Sequence, residues 1–291
     1  MNQIKIGTIV HGDKAKALIP KLAKYDFETY NLYFFGDAAR GVDWAKYSEQ
    51  VMPLVKENGR TISSVSIFLN PLVREDDIET WQQVIDCASK FGCDTVTGFT
   101  GRIVDRPIDE SIPRFKEVFS ELASRAADKG VRIAFENWNG EGDWYRGDWN
   151  IAHSPSSWEL MFDALPLANL GLLWEPAHQM VLLIDPVAQL RKWVGKIFHL
   201  HGKDANVFWD VVRERGVGGP DEIAIPRTPG FGDLNWADIF SILHQNGFNG
   251  SVDIEGFHDP VYNGEWEFTA QLRALEYLKT ARGGNYVPNP W

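Results

Sequence analysis

Short apolar runs recur along the chain, and longer segments with a single apolar face separate them. Each run has five to eight residues, which is the usual length of a β-strand. Eight runs can be counted, at residues 4–10, 28–34, 61–68, 94–99, 131–136, 170–175, 197–201 and 251–255. The pattern therefore predicts eight strands.

The segments between the runs have the residue spacing of amphipathic helices. The clearest one places apolar residues three and four positions apart, at Ile112, Phe115, Phe119, Leu122 and Ala126. Capping signals mark two further helix starts, at Ser154 before a proline and at Asn235. Eight alternations of strand and helix predict an α/β protein, a (β/α)8 TIM barrel formed as a single domain by residues 1–282. Residues 283–291 are predicted to form an extended C-terminal tail.

Two connections in this pattern are longer than simple turns. They cover residues 137–153 and 203–233, after the fifth and seventh predicted strands. Both follow the carboxyl end of a strand, which is the face where TIM barrels carry their active sites. Long loops without secondary structure of their own are more often functional than idle. We therefore expect both segments to act as lids or pocket walls.

Composition and charge narrow the choice of partner. The chain has 291 residues, a formal net charge of −11 and twelve tryptophans. A strongly acidic chain repels nucleic acid, and no dense Lys/Arg cluster compensates, so a nucleic-acid partner is not expected. Tryptophan faces suit the stacking of sugar rings, although most tryptophans in any protein are core residues. No apolar stretch approaches the length of a membrane span and no signal peptide is recognised, so we expect a cytoplasmic protein.

Four of the predicted strands end in, or just before, a residue that can bind a metal ion: Glu136, Glu175, His201 and Glu255. One such carboxylate alone would indicate no more than an ion pair, but four in strand order predict a single site at the mouth of the barrel. Three carboxylates and one imidazole form a hard, oxygen-rich donor set, which favours one divalent ion, Mn²⁺ or Mg²⁺. Such an ion polarises a sugar carbonyl and promotes removal of the neighbouring proton, giving an enediolate.

These residues resemble the metal site of the xylose-isomerase-like superfamily, which includes sugar isomerases, epimerases and apurinic endonucleases. The resemblance covers essentially the whole chain and implies that Glu136 and Glu255 serve as acid and base as well as metal ligands. It also implies that His178, three residues after Glu175, contacts the substrate. One position departs from the pattern, because the family normally has aspartate where this chain has Glu175.

Three further phrases resemble one branch of that superfamily, the catalytic subunits of bacterial C-glycoside deglycosidases. They are His199-Leu-His-Gly-Lys-Asp204, the segment 227–236 and the segment 253–260. This resemblance implies a lyase that removes the C2 proton of a 3-keto-glycoside and eliminates the aglycone from C1. It also implies a smaller partner subunit, with a homo-oligomer as the other form of assembly.

Several other residues are candidates for the site. His153, at the end of the first long loop, is predicted either to act as acid or base or to bond loop backbone. Lys203 and Arg227 are predicted to bind substrate or to form salt bridges with Asp204 or Asp233. The remaining predicted substrate contacts are Trp138, His199 and His258, of which His199 is equally consistent with a core role.

The alternatives to the lyase are of different classes. A sugar isomerase or ketose 3-epimerase would use the same metal and the same enediolate. A sugar-binding protein without turnover would not need three converging carboxylates, because they are costly to hold together without a cation. A DNA-repair endonuclease is disfavoured by the negative charge and by the scatter of the seven histidines.

Overall fold

The computed structural model describes residues 4–284 and 287–291 of the chain. Within this part the strands are β1 (Lys5–His11), β2 (Thr29–Phe35), β3 (Thr61–Phe68), β4 (Thr95–Gly98), β5 (Arg132–Glu136), β6 (Leu170–Trp174), β7 (Ile197–Gly202), β8 (Asp204–Val207), β9 (Ala224–Arg227) and β10 (Ser251–Ile254). The α-helices are α1 (Ala15–Leu22), α2 (Trp44–Glu57), α3 (Glu75–Phe91), α4 (Ile108–Ala127), α5 (Pro155–Ala164), α6 (Pro176–Met180), α7 (Pro186–Trp193), α8 (Trp209–Arg215), α9 (Trp236–Gln245) and α10 (Glu267–Ala281).

Eight of the strands close into a barrel in the order β1-β10-β7-β6-β5-β4-β3-β2. Every neighbouring pair in the barrel runs parallel. The helices lie outside, and α4 packs its apolar face on β5, where the Phe119 and Phe135 rings are 4.8 Å apart. The predicted (β/α)8 barrel is confirmed, with strand bounds within about two residues of those expected from the apolar runs.

Local capping explains why two helices begin where the sequence indicates. Ser154 caps α5 by accepting a hydrogen bond from the backbone N–H of Ser157, whose own side chain accepts from the backbone of Ser154. Asn235 caps α9 by accepting a hydrogen bond from the backbone N–H of Ala237. Both caps satisfy donors that a helix start leaves free.

A polar network fills part of the barrel interior, below the carboxyl ends of the strands. Its centre is the buried carboxylate of Asp253, which accepts hydrogen bonds from Thr29 and Ser63 at 2.7 and 2.6 Å. The Nε2 atom of His199 lies 2.9 Å from the same carboxylate. A side chain at Gly7 would overlap Asp253 and Thr29, so this close approach requires glycine.

The second long connection has more structure than the sequence indicated. We expected 203–233 to be an irregular wall, but it contains the antiparallel pair β8–β9 and helix α8. The paired segments are only four residues each, and Pro226 lies within β9, which is typical of edge strands and hides the strand pattern. The first connection, 137–153, contains no helix or extended strand, and an isolated bridge from Asn150 to Gly101 joins it to the segment after β4.

The C-terminal tail, predicted as 283–291, is only partly described, because residues 285 and 286 lie outside the described residues. Residues 287–291 form neither helix nor strand, and the Trp291 side chain is 95% exposed. The division of the chain at residue 282 stays a prediction. Across 4–284 and 287–291, no helix combines the length and the hydropathy that crossing a bilayer requires.

Candidate metal centre and active-site cavity

The four predicted metal ligands come together at the mouth of the barrel. Glu136 ends β5 and His201 lies in β7, while Glu175 and Glu255 come directly after β6 and β10. One ligand atom from each residue lies within 4.8 Å of every other, and all four side chains are buried. The common position follows from the parallel topology, which places the carboxyl end of every strand at the same rim.

The distances within this group suit a metal ion better than a hydrogen-bonded cluster. His201 Nδ1 lies 3.0 Å from Glu136 Oε1, 3.1 Å from Glu255 Oε2 and 3.5 Å from Glu175 Oε2. A ring nitrogen carries at most one proton and cannot donate fully to three carboxylates. An ion with bonds of about 2.1 Å has neighbouring ligand atoms about 3.0 Å apart, close to the observed spacing.

The second oxygens of two of these carboxylates face cationic groups instead. Lys203 Nζ lies 2.7 Å from Glu255 Oε1 and 3.3 Å from Glu175 Oε1. His178 Nε2 lies 2.9 Å from the same oxygen of Glu175. Neither oxygen of Glu175 has a hydrogen-bond donor among the described residues. A buried carboxylate of this kind fits the role of a metal ligand.

Burial and mutual charge perturb the pKa of every member of the group. Burial raises the pKa of Glu136 above its ordinary value, despite the hydrogen bond with His201. Burial would also raise the pKa of Glu255, but Lys203 and His201 hold it well below the ordinary value. For Glu175, burial and Glu255 are outweighed by His178 and Lys203, which lower its pKa to about 2.

The pKa values of the two cationic partners, His201 and Lys203, are raised. Burial acts against the charged form of His201, but its three carboxylate neighbours raise its pKa well above the ordinary value. Burial likewise opposes the charge of Lys203, and Glu175 and Glu255 raise its pKa nonetheless. Without metal, the three carboxylates of the cluster are therefore balanced by the imidazolium of His201 and the ammonium of Lys203.

The charge of the cluster fits a divalent cation. Three carboxylates and the ammonium of Lys203 leave two negative charges when His201 is neutral, and a metal ligand histidine must be neutral. A cation of charge two would balance the buried group. The donor set, spacing and charge therefore all fit one such ion, and the four residues that would hold it are Glu136, Glu175, His201 and Glu255.

Asn137, which sequence reasoning did not single out, fixes the relative position of two ligands. It follows Glu136, and its side chain is fully buried. Its amide donates to the backbone carbonyl of Glu175 at 2.9 Å and accepts from the backbone N–H of Glu175 at 2.7 Å. The ends of β5 and β6 are thereby locked together. An asparagine between a strand and a tryptophan-rich loop gave no signal of this contact, because the partner is 38 residues away.

A cavity of about 520 Å³ opens above the metal ligands. Of the four ligands, Glu136 and Glu255 line it, together with the predicted substrate contacts His178, Lys203, His258 and Trp138. The apolar residues that line it are largely aromatic: Tyr33, Phe35, Phe99, Trp138, Ala177, Val181 and Pro226. The phenol of Tyr33 stays protonated, because burial and the nearby glutamates raise its pKa. The cavity thus joins an acidic metal site to flat apolar surface.

Three predicted site residues lie away from this cavity. The ring of His153 is buried near Arg102, neither of its nitrogens has a hydrogen-bond partner among the described residues, and burial lowers its pKa to about 4. His199 belongs to the polar network around Asp253. None of the side-chain contacts of Arg227 reaches a metal ligand, since its guanidinium pairs with Asp259. The roles of these three residues in catalysis or substrate binding stay predictions.

The alternative salt bridges expected for Lys203 and Arg227 involve other partners. Lys203 pairs with Glu175 and Glu255 and not with Asp204. Asp204 instead accepts hydrogen bonds from backbone N–H groups and from an indole. The barrel brings strand ends together that are distant in sequence, so the nearest acid along the chain is not the nearest in space.

The fold and the site can now be compared with known proteins. A model of the Xylose isomerase-like TIM barrel family matches residues 19–281. The chain belongs to this family. The resemblance inferred from the metal-ligand pattern is thus confirmed, whereas the match does not distinguish a branch within the family.

Two relatives in this family are inosose dehydratases. The enzyme of Clostridium beijerinckii is 27% identical over 192 residues, which cover 62% of this chain and 60% of that protein. The enzyme of Bacillus thuringiensis is 23% identical over 234 residues, covering 75% of each chain. Their names agree with the prediction of an enzyme.

Solved structures share the fold over nearly the whole chain. The 3-keto-D-glucoside 4-epimerase of E. coli is 15% identical, with a TM-score of 0.69, and the match covers 96% of this chain and 100% of that one. The D-allulose 3-epimerase of Methylomonas sp. is 18% identical, also with a TM-score of 0.69, over 97% and 99% of the two chains. At these identities the likeness concerns the fold.

Proposed function

We propose that this protein is a divalent-metal-dependent lyase that acts on an uncharged keto sugar or keto glycoside. One observation carries the proposal: Glu136 and Glu255 belong to the metal-ligand group and also line the cavity. Of the metal-ligand carboxylates, they are therefore the two able to reach a bound substrate, whereas Glu175 and His201 do not line the cavity.

Mn²⁺ or Mg²⁺, the ions favoured by this donor set, would polarise the substrate carbonyl and the hydroxyl on the neighbouring carbon. The C–H bond of that neighbouring carbon would thereby become more acidic. The protein supplies the base and the orientation. Glu136 takes the proton from the carbon next to the carbonyl, and the Asn137 contacts keep the β5 and β6 strand ends in register. The half-buried, protonated Tyr33 offers a hydroxyl in the same cavity.

In the elimination, the C–H electrons form the new C1–C2 double bond while the bond from C1 to the leaving group breaks. The leaving group departs with the electron pair of its broken bond to C1 and takes up a proton. His258 is placed to return it, because its imidazole lines the cavity and its Nδ1 atom lies 3.6 Å from Glu255 Oε1. Atoms and charge balance without any further reactant.

The charges of the cavity support an uncharged substrate. Its acidic lining residues are Glu136, Glu141 and Glu255, and among the described lining residues Lys203 is the one lysine or arginine. The ammonium of Lys203 is already engaged by two carboxylates. A phosphate or carboxylate on the substrate would therefore meet acidic neighbours and no free cation.

The relatives support an elimination. Inosose dehydratases share this family, and a dehydratase eliminates water. In this chain we propose that the group eliminated is the aglycone of a 3-keto-glycoside, as the resemblance to C-glycoside deglycosidases implies. The aromatic wall formed by Tyr33, Phe35, Phe99 and Trp138 would accommodate an apolar aglycone.

An epimerase with the same metal is the second candidate. Glu136 and Glu255 follow β5 and β10, which are separated in the barrel by β6 and β7. The two carboxylates therefore approach the cavity from different sides, as a two-base epimerisation requires. This arrangement favours neither the lyase nor the epimerase by itself.

The test is incubation of metal-loaded protein in deuterated water with 3-keto-glycosides and with ketoses such as D-allulose. Aglycone release supports the lyase, and C–H exchange without cleavage supports the epimerase. Glu136→Gln and Glu255→Gln should each lower the rate by at least about 100-fold, since the first removes the base and both remove a carboxylate of the metal-ligand group. Full activity in both variants, or after removal of metal by chelation, would refute metal-dependent enolisation.

The assembly also belongs to the proposal. A smaller partner subunit is expected from the C-glycoside deglycosidase resemblance, and self-association is the alternative. Native mass measurement of the protein, alone and with candidate partners encoded nearby, distinguishes these two forms.

A further inference from the structure

We propose that Lys203 is the resident counter-ion of the metal centre. Its ammonium shares the carboxylates of Glu175 and Glu255 with the cation, holds the metal-free site together and weakens metal binding. The inference rests on the metal centre of the proposed function and adds a residue that sets its affinity.

The geometry divides the oxygens of the two carboxylates between two positive groups. In both Glu175 and Glu255, Oε2 is the oxygen that faces His201 Nδ1, at 3.5 and 3.1 Å. In both, Oε1 is the oxygen that faces Lys203 Nζ, at 3.3 and 2.7 Å. Lys203 therefore leaves one oxygen of each carboxylate free for a cation and keeps the other.

The length of Glu175 is consistent with this division. Glutamate has one more methylene than aspartate, so its carboxylate extends farther from the backbone. In this structure the Glu175 carboxylate reaches both the ligand group around His201 and the ammonium of Lys203. The length of Glu175 and the presence of a lysine beside the metal ligands thus fit one arrangement.

Among the described residues, the acidic groups that form ion pairs with Lys203 are Glu175 and Glu255. Lys203 is 3% exposed, its third polar neighbour is His258 Nδ1 at 3.3 Å, and the ring of Phe257 lies 5.9 Å from Nζ. An ammonium buried in this way is stable only beside its carboxylates, and removing it takes away one of the two positive charges that balance them. The metal-free cluster therefore depends on Lys203.

The same charge opposes metal binding. A cation held by Glu175 and Glu255 shares both carboxylates with the Lys203 ammonium, and like charges at such short range repel strongly in a buried site. Loss of the ammonium removes this repulsion and makes the ligands more negative. A residue that served only to support the fold would have the opposite effect, because loosened ligands bind metal more weakly.

The test compares Lys203→Met with Arg40→Met by calorimetric titration of the metal-free proteins with Mn²⁺. Arg40 is the matched control, because it also pairs with a fully buried carboxylate, that of Asp77, and contacts none of the four ligands. Lys203→Met should bind Mn²⁺ at least about tenfold more tightly than the wild type. Its metal-free form should also unfold at a lower temperature. Arg40→Met should lose stability without a change in affinity, and Lys203→Arg should bind like the wild type.

Equal or weaker Mn²⁺ binding by Lys203→Met would overturn the inference and leave the proposed function intact. Absence of Mn²⁺ and Mg²⁺ binding by the wild type would instead refute the metal-dependent function itself. If the metal-free variant does not fold, competition of the Mn²⁺-loaded proteins against EDTA gives the same ranking of affinities.

Discussion

The contact between Asn137 and Glu175 gives the sharpest prediction about how the site is built. Asn137→Ala would remove both hydrogen bonds to the Glu175 backbone, whose lengths are 2.9 and 2.7 Å. It would leave the buried N–H of Glu175 without its acceptor, at a cost of about 1–3 kcal/mol. Loss of the second hydrogen bond adds about 1 kcal/mol. We expect a total destabilisation of about 2–4 kcal/mol, or roughly 3–7 °C in Tm for a chain of this size.

The matched control lies two residues further along the same loop. Asn139 is only partly buried, and its side chain donates one hydrogen bond, to the carbonyl of Gly142 at 3.1 Å. Asn139→Ala should therefore cost less than about 1 kcal/mol. Both variants are compared by thermal unfolding without metal, and the Mn²⁺ affinity of each is then measured by calorimetry.

A second effect separates positioning from stability alone. Because Asn137 holds the backbone of a metal ligand, Asn137→Ala should also weaken Mn²⁺ binding, whereas Asn139→Ala should not. If the two variants have the same Tm and the same affinity, the strand ends do not depend on Asn137 and the reasoning is wrong.

Two other predictions concern the metal and the loop above it. The three carboxylates raise the pKa of His201 well above its ordinary value, so the metal-free protein carries an imidazolium at pH 7 whose proton a metal must displace. Mn²⁺ binding should therefore release about one proton per ion and weaken as the pH falls. Calorimetry in buffers of different ionisation enthalpy measures the number of protons released. Binding without proton release would contradict a protonated His201 in the metal-free protein. The buried guanidinium of Arg102 donates to the backbone carbonyls of Arg106, Asp143 and Trp144 and so fastens the loop 137–153 to the barrel. Arg102→Met should make that loop the first site of limited proteolysis, and an unchanged cleavage pattern would show that the loop is held by other contacts.

The metal ligands could be predicted from the sequence because topology alone brings them together. Each of the four closes an apolar run, and in a parallel barrel the carboxyl end of every strand lies at the same rim. No side-chain detail is needed for that inference. The helices could be predicted equally well where apolar spacing and a capping residue coincide, as at Ser154 and Asn235.

The contacts around the ligands could not be predicted in the same way. The pairing of Lys203 with Glu255 spans 52 residues and depends on how two side chains meet across the barrel mouth. Asn137 binds the backbone of a neighbouring strand, which leaves no periodic signal in the sequence. The pair β8–β9 was missed because its strands are four residues long and one contains a proline.

The case of His153 shows why residue type alone is a weak guide in a long loop. Its histidine chemistry suits proton transfer, and its place after β5 suggested the cavity. The path of the loop is instead set by buried contacts, including the hydrogen bonds of Asn150 to the backbone carbonyls of Glu136 and Trp138. The His153 ring is buried near Arg102 and is not among the residues that line the cavity.

The most direct test of the central claim is an anomalous-difference map from a crystal of this protein soaked in Mn²⁺. We predict one strong peak within bonding distance of His201 Nδ1 and of the carboxylates of Glu136, Glu175 and Glu255. A map without a peak among these four side chains, or with the ion bound elsewhere at the barrel mouth, would contradict the metal centre and the chemistry that we derive from it.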